Sequence, residues 1–242
     1  MRWLTAIPVY NEAKYLVNVL AEVRRFSPEI LVIDDGSTDE TPTLLDAEAG
    51  LYRIHHEKNR GYGAALRSAF QYAVTQGYEV LVTMDCDGQH EPSRLPLMLE
   101  AVWDCDIASG SRYLRDFRQN TPVPTERLRI NQTVTAELNE RYGLHLTDAF
   151  CGFKAYRACA LAQLKITEDG WGMPLQLWVQ AAKLGLRVRE VGVPRVYLDP
   201  KRAFGGVMDD PEERLNYYRN VIARAEAEFV MPDCSPCGEL CS

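Results

Sequence analysis

Val80-Leu81-Val82-Thr83-Met84-Asp85-Cys86-Asp87 is the stretch from which the fold can be read. Val80 to Met84 is an apolar run of strand length interrupted only by Thr83, the mark of a β-strand covered on both faces. Two carboxylates separated by one residue follow at once. Strands of this kind belong to open, mostly parallel sheets, which bind ligands beyond the carboxyl ends of their strands. Asp85 and Asp87 are therefore placed where a ligand is expected. If the backbone turns there, both can reach one hard dication, leaving positions on the ion for a diphosphate. An isolated Asp-x-Asp also reads as a solvated acidic turn. The strand ahead of it favours the cation, because like charges delivered together to a sheet edge need a counter-charge.

The same pattern recurs on both sides. Leu4 to Val9 is a short apolar strand, with a polar turn at Tyr10 to Glu12 and a helical pattern through Leu16, Val19, Leu20 and Val23. Ile30 to Ile33 is a second buried strand, followed by Asp34-Asp35-Gly36-Ser37-Thr38-Asp39-Glu40, where Ser37 and Glu40 have capping-box spacing for a following helix. Leu51 to His55 reads as a strand, Tyr62 to Thr75 as a helix, Pro92 as a first helical position and Ile107 to Ser109 as a strand. Arg112 to Arg129 reads as a loop, Ile130 to Tyr142 and Pro174 to Leu184 as helices, and Arg187 to Val193 as a strand. This alternation predicts an α/β fold with a mostly parallel central sheet and helices on both faces. The domain is expected over 1–210, with a helix from Pro211 and a flexible cysteine-containing tail making up 211–242.

The chain has 242 residues, 46% of them apolar and 25% charged, enough to bury a core and enclose a nucleotide-sized cleft. A formal charge of −7 argues against a nucleic-acid partner. Four of the seven cysteines are scattered and read as buried thiols of a reducing compartment, whereas Cys234, Cys237 and Cys241 give only half a zinc site. No 18-residue apolar stretch is present, so a cytoplasmic protein is expected, with peripheral membrane contact left open.

Other residues suit the same cleft. A carboxylate at Asp34 or Asp35 can accept from ribose hydroxyls or a base N–H, although short polar residues there also cap helices. Asn59-Arg60-Gly61-Tyr62-Gly63 lacks the third glycine of a dinucleotide fingerprint and reads as close backbone approach before a helix. Gly110-Ser111-Arg112 puts a guanidinium near the sheet edge, where it can pair with a phosphate or an acidic wall. Asp148 can orient a sugar hydroxyl or act as general base, and Cys151 reads as buried packing. His90 is either a ligand or a turn residue.

Pro8-x-Tyr10-Asn11-Glu12, Asp34-Asp35-Gly36-Ser37, Asn59-x-Gly61-x-Gly63, Met84-Asp85-x-Asp87-x-Gln89-His90 and Gly110-Ser111-Arg112 together resemble family 2 glycosyltransferases. The likeness runs over roughly residues 4 to 198 and points to the dolichyl-phosphate or polyprenyl-phosphate mannosyl- and glucosyltransferases. It implies a GT-A (Rossmann-like) fold, inversion at the anomeric carbon and a nucleotide-sugar donor such as GDP-mannose or UDP-glucose. Pro8, Tyr10, Glu12, Asp34, Asp35 and Gly61 would then bind the nucleotide. Asp85 would lie at the diphosphate and share a Mg2+ or Mn2+ ion with Asp87. Arg112 and Asp148 would be the catalytic pair, and Gln89, His90, Gln176 and Arg202 would face the sugar or acceptor.

The departures also count. Gln176 stands where relatives often carry an acid, the basic signature around Arg195, Lys201 and Arg202 is rearranged, and the helix from Pro211 has no obvious counterpart. The expected reaction is hexose transfer to a polyprenyl or dolichyl phosphate. Transfer to a soluble saccharide is the alternative, and a non-catalytic nucleotide-sugar-binding protein is disfavoured by the intact Asp85 and Asp87.

Overall fold

The computed structural model describes residues 1–198 and 205–232. In chain order its elements are β1 (Trp3–Val9), α1 (Ala13–Val23), β2 (Ile30–Asp34), α2 (Thr41–Ala47), β3 (Tyr52–His55), α3 (Tyr62–Thr75), β4 (Val80–Thr83) and α4 (Leu95–Ala101). They continue with β5 (Ile107–Ser111), α5 (Thr125–Tyr142), β6 (Lys154–Arg157), α6 (Ala158–Leu161), α7 (Met173–Lys183), β7 (Val188–Gly192) and α8 (Pro211–Ala227). One sheet runs β3-β2-β1-β4-β6-β5-β7. All its neighbours are parallel except β6, which pairs antiparallel with both β4 and β5.

The period of two in the strands divides the core into two layers. Leu31 and Ile33 of β2 and Leu81 of β4 face a layer built from α3, α5, α7 and α8, with fully buried Trp178 at its centre. Ile30, Val32, Val80 and Val82 face the opposite layer, which is made chiefly by Leu16, Val19 and Leu20 of α1 and Leu95 and Met98 of α4. Both faces of β4 are therefore dry, as its apolar run requires, and its last residue opens onto the sheet's carboxyl edge.

The structure departs from expectation at four places. The helix after Asp34-Asp35 starts at Thr41, not beside Ser37; Asp39 accepts the Thr41 N–H at 2.9 Å, while the Ser37 hydroxyl accepts the Asn11 N–H at 2.9 Å and so ties the turn after β1 to the turn after β2. β6 was not anticipated, because only two residues, Ala155 and Tyr156, separate Lys154 from Arg157 and give no periodicity to read. Helix α5 begins at Thr125, inside the expected loop. The helix expected from Pro211 is present as α8, but it is no appendage: Tyr218, Val221, Ile222 and Ala225 are buried in the same layer as α5 and α7. The cysteines at 234, 237 and 241 lie outside the described residues.

Ile222→Ala is therefore expected to lower unfolding stability by about 2–5 kcal/mol in urea denaturation, the usual cost of truncating a buried aliphatic side chain. A loss below about 0.5 kcal/mol would show that α8 is peripheral to the core.

Candidate active site

A cavity of about 450 Å³ opens along the carboxyl edge of the sheet. Its middle is the turn after β4, where Asp85 and Asp87 both line the wall. Each carboxylate is oriented by a neighbour. Asp85 Oδ1 accepts from the Tyr62 hydroxyl at 3.0 Å, and Asp87 accepts from the Gln89 N–H at 3.0 Å and from its side-chain amide at 2.7 Å. Burial, followed by the Asp85 charge, raises the Tyr62 pKa well above the ordinary phenol value, so the hydroxyl remains a donor. His90 Nδ1 accepts the Asp85 N–H at 3.1 Å and its ring stacks on Phe153, bracing the turn from behind. Gly152 faces the Asp85 carboxylate, and a Cβ there would run into both carboxylate oxygens and the Tyr62 hydroxyl. The Asp85 carboxylate therefore packs directly against the Gly152 backbone, an approach that any other residue would block.

At one end the cavity is walled by Pro8, Tyr10 and Glu12 from the end of β1 and by Asp35 from β2. Asp35 is nearly fully buried and accepts from the Arg60 N–H at 3.0 Å and the Gly61 N–H at 2.7 Å, with His56 Nδ1 2.6 Å away. Gly61 takes φ +104°, a conformation costly for any side-chain-bearing residue, which lets its N–H turn toward Asp35.

At the other end stand Arg112 and Tyr113 after β5, Arg127 and Asn131 of α5, and Arg214 and Tyr218 of α8. Arg112 forms a bidentate pair with Asp148, Nε to Oδ2 at 2.7 Å and Nη2 to Oδ1 at 2.9 Å. The Asn131 amide donates to Oδ1 at 2.7 Å and the Phe150 N–H at 3.1 Å. Burial opposes ionisation of Asp148, but the Arg112 charge and these donors outweigh it and hold its pKa down to about 2. The cavity therefore has carboxylates at its centre and first end and guanidinium groups at its second.

The family described as glycosyl transferase family 2 matches residues 5–164. The chain belongs to that family. Among its relatives, an undecaprenyl-phosphate mannosyltransferase of Micrococcus luteus is 35% identical over 221 residues, 87% of this chain and 90% of that one. A polyprenol monophosphomannose synthase of Mycolicibacterium smegmatis is 33% identical over 203 residues, 79% and 76% of the two chains. In fold the chain is similar to glucosyl-3-phosphoglycerate synthase of Mycobacterium tuberculosis, solved with Mg2+ and uridine diphosphate. The TM-score is 0.71 at 17% identity, covering 96% of this chain and 80% of that one. The protein is thus a GT-A glycosyltransferase of the inverting kind, which moves a sugar from a nucleotide-sugar donor to an acceptor.

In this family 2 glycosyltransferase, Pro8, Tyr10, Glu12, Asp35, Gly61, Asp85, Asp87, Gln89, His90 and Arg112 line one cavity. Five expected site residues make other contacts. Asp34 is turned away, accepting the Ser37 N–H at 2.9 Å and facing His55 at 3.0 Å. Gln176 is buried and braces the chain at 167–168, its Oε1 accepting the Thr167 and Glu168 N–H groups. Gln89 and His90 hold the carboxylate turn through the bonds described above. Asp148 is completely buried and bonded to Arg112, Asn131 and the Phe150 N–H, the surroundings of an ion-pair partner for Arg112 rather than of a base open to the cavity. Arg202 lies outside the described residues. Sequence reading missed Tyr62, Asn131, Gly152 and Trp171. Of these only Tyr62 stands inside a motif quoted above, and the roles of all four depend on partners far along the chain.

The Asp148 pKa carries a pH signature. A carboxyl whose folded pKa is depressed from the ordinary 3.8 to about 2 contributes stability that is complete above about pH 4 and is lost as pH falls through about 2. Denaturant titrations should therefore show wild type losing stability relative to Asp148→Asn between about pH 4 and pH 2, and a constant difference above pH 5. A pH-independent difference across the whole range would contradict the buried ion pair.

Proposed function

We propose that this chain transfers a hexose, with mannose the first candidate, from a nucleoside-diphosphate sugar to a polyprenyl phosphate. The observation that carries this is the distribution of charge along the cavity. Among the described residues its lining carboxylates are Glu12, Asp35, Asp85 and Asp87, all at the donor end or centre, while two arginines of the other end are paired with acids outside the lining, Arg112 with Asp148 and Arg214 with Glu126. Among the described residues, an acceptor hydroxyl arriving there would meet no lining carboxylate to take its proton. A phosphate monoester brings an oxygen that is already ionised near neutrality and finds the guanidinium groups it needs. The names of the two bacterial relatives, 35% and 33% identical, support the same acceptor class and the sugar.

The residues around Asp85 fit a hard dication. Two carboxylates open onto the cavity, one kept in orientation by Tyr62 and by close packing on Gly152, the other by Gln89. Among the described residues no third acidic, histidine or cysteine ligand completes a cage, which suits an ion whose remaining positions are filled by the donor's diphosphate and water. Bound there, Mg2+ or Mn2+ would stabilise the charge that develops on the departing nucleoside diphosphate. Asp35, Glu12 and Tyr10 hold the nucleoside, and Arg112 orients the incoming phosphate for attack on the anomeric carbon from the face opposite the leaving group. No helix among the described residues is long and apolar enough to cross a membrane, so a lipid-linked acceptor would be met at the membrane surface.

The test is nucleoside-diphosphate release from GDP-mannose and, separately, UDP-glucose, with Mn2+ or Mg2+ and with or without a short-chain polyprenyl phosphate. Release is expected to require both the metal and the polyprenyl phosphate and to stop on chelation. Asp85→Asn and Asp87→Asn should each weaken metal-dependent donor binding about tenfold or more in a folded protein. Turnover driven by free saccharides and indifferent to polyprenyl phosphate would overturn the acceptor assignment.

A further inference from the structure

Helix α8 reaches the diphosphate carboxylate without touching it. The link begins at Glu168, a buried acid in the segment before α7. Its Oε1 accepts from the Tyr217 hydroxyl of α8 at 2.5 Å and from the Gly170 N–H at 3.0 Å, and its Oε2 accepts from Arg224 of α8. The Tyr217 hydroxyl in turn accepts the Gly172 N–H at 3.2 Å. The two glycines that flank Trp171 are thus fixed by one carboxylate and one phenol. Neither has room for a side chain, since a Cβ on Gly170 would lie 2.8 Å from the Tyr217 oxygen and one on Gly172 2.7 Å from Val221.

The segment is gripped from the opposite side by α3. The Asp169 carbonyl accepts the Ala64 N–H at 3.1 Å, the Asp169 carboxylate pairs with Arg67 at 2.6 Å, and Gly61 and Gly63 lack the Cβ atoms that would strike its backbone. Trp171 is held between these grips at the cavity wall. Its ring stacks on Tyr62, with centroids 5.3 Å apart and planes 17° from parallel. Tyr62 is the residue whose hydroxyl donates to Asp85.

The geometry points to Glu168 as a positioning residue that sets, through Gly170, Trp171 and Tyr62, the orientation in which Asp85 meets a metal-bound nucleoside diphosphate. A carboxylate held in its binding rotamer before the ligand arrives loses less conformational freedom on binding, and that saving disappears if the stack above Tyr62 drifts. The inference makes α8 part of the donor site at a distance, although α8 lies beyond the matched family segment, which ends at residue 164. It rests on the proposed role of Asp85 at the diphosphate.

Calorimetric titration of the intact chain with Mn2+ and GDP, and in parallel with Mn2+ and UDP, tests it in a double-mutant cycle. Glu168→Ala and Tyr62→Phe are each expected to weaken binding about tenfold, with the double variant no weaker than the worse single one. Glu168→Gln, which keeps an acceptor for Tyr217 and Gly170, should bind within about twofold of wild type. Losses that multiply to about a hundredfold in the double variant would mean that the two residues act independently, and the inference falls. If circular dichroism shows Glu168→Ala unfolded, Tyr217→Phe takes its place in the cycle under the same criterion. Failure of wild type to bind either Mn2+–nucleotide pair would instead remove the reading of Asp85 and Asp87 on which the inference stands.

Discussion

Two carboxylates at the middle of one cavity repel each other, and the surrounding structure is arranged to hold both in place on the turn after β4. β4 brings them to the sheet edge between a parallel neighbour, β1, and an antiparallel one, β6. Tyr62 and Gln89 supply donors to the carboxylate oxygens, and His90 supports the backbone N–H that begins the turn. These bonds offset part of the repulsion and fix direction. The remainder of the counter-charge must come with the ligand, which is why the site makes chemical sense as a shared one.

A second arrangement of charge sets the polarity of the cavity. Arg112 is half-buried and paired with Asp148, a fully buried acid that also accepts from Asn131 and backbone donors. Burial would lower the Arg112 pKa, yet the Asp148 charge and hydrogen bonds raise it well above the ordinary value, so the guanidinium is permanently charged. A pair of this kind contributes little net stability compared with an apolar substitute, but it holds a rigid fork of donors at a fixed place. Fixed donors suit an anion that must be oriented rather than activated. The two ends of the cleft are thereby distinguished by sign.

Much of this was legible in the sequence where a signal was local. The apolar run before Asp85 located β4 and the site together, and Tyr62–Thr75 emerged as a helix with the expected bounds. What was not legible depended on pairs distant in the chain. Asp148 looks like a base until Arg112, 36 positions earlier, is seen to occupy it. Gln176 occupies a position where relatives often have an acid, but it folds back on the chain nine residues before it. β6 was hidden because its first residue is a buried lysine, whose ammonium donates to the Cys151 carbonyl and lies over the Trp178 ring. Burial lowers that lysine's pKa, an arrangement that no rule of hydrophobic alternation predicts.

The antiparallel β6 also imposes an order on synthesis. β1 to β4 are complete when the ribosome has made Thr83, but the strand that covers the free flank of β4 begins only at Lys154. While residues 84–153 are being made, the edge formed by Val80, Leu81, Val82 and Thr83 has no partner on that flank for its backbone N–H and C=O groups. Such an edge pairs readily with another copy of itself. The pairing of β6 with β4 is therefore also a cap on that edge, one that the fold can apply only after Lys154 has been made.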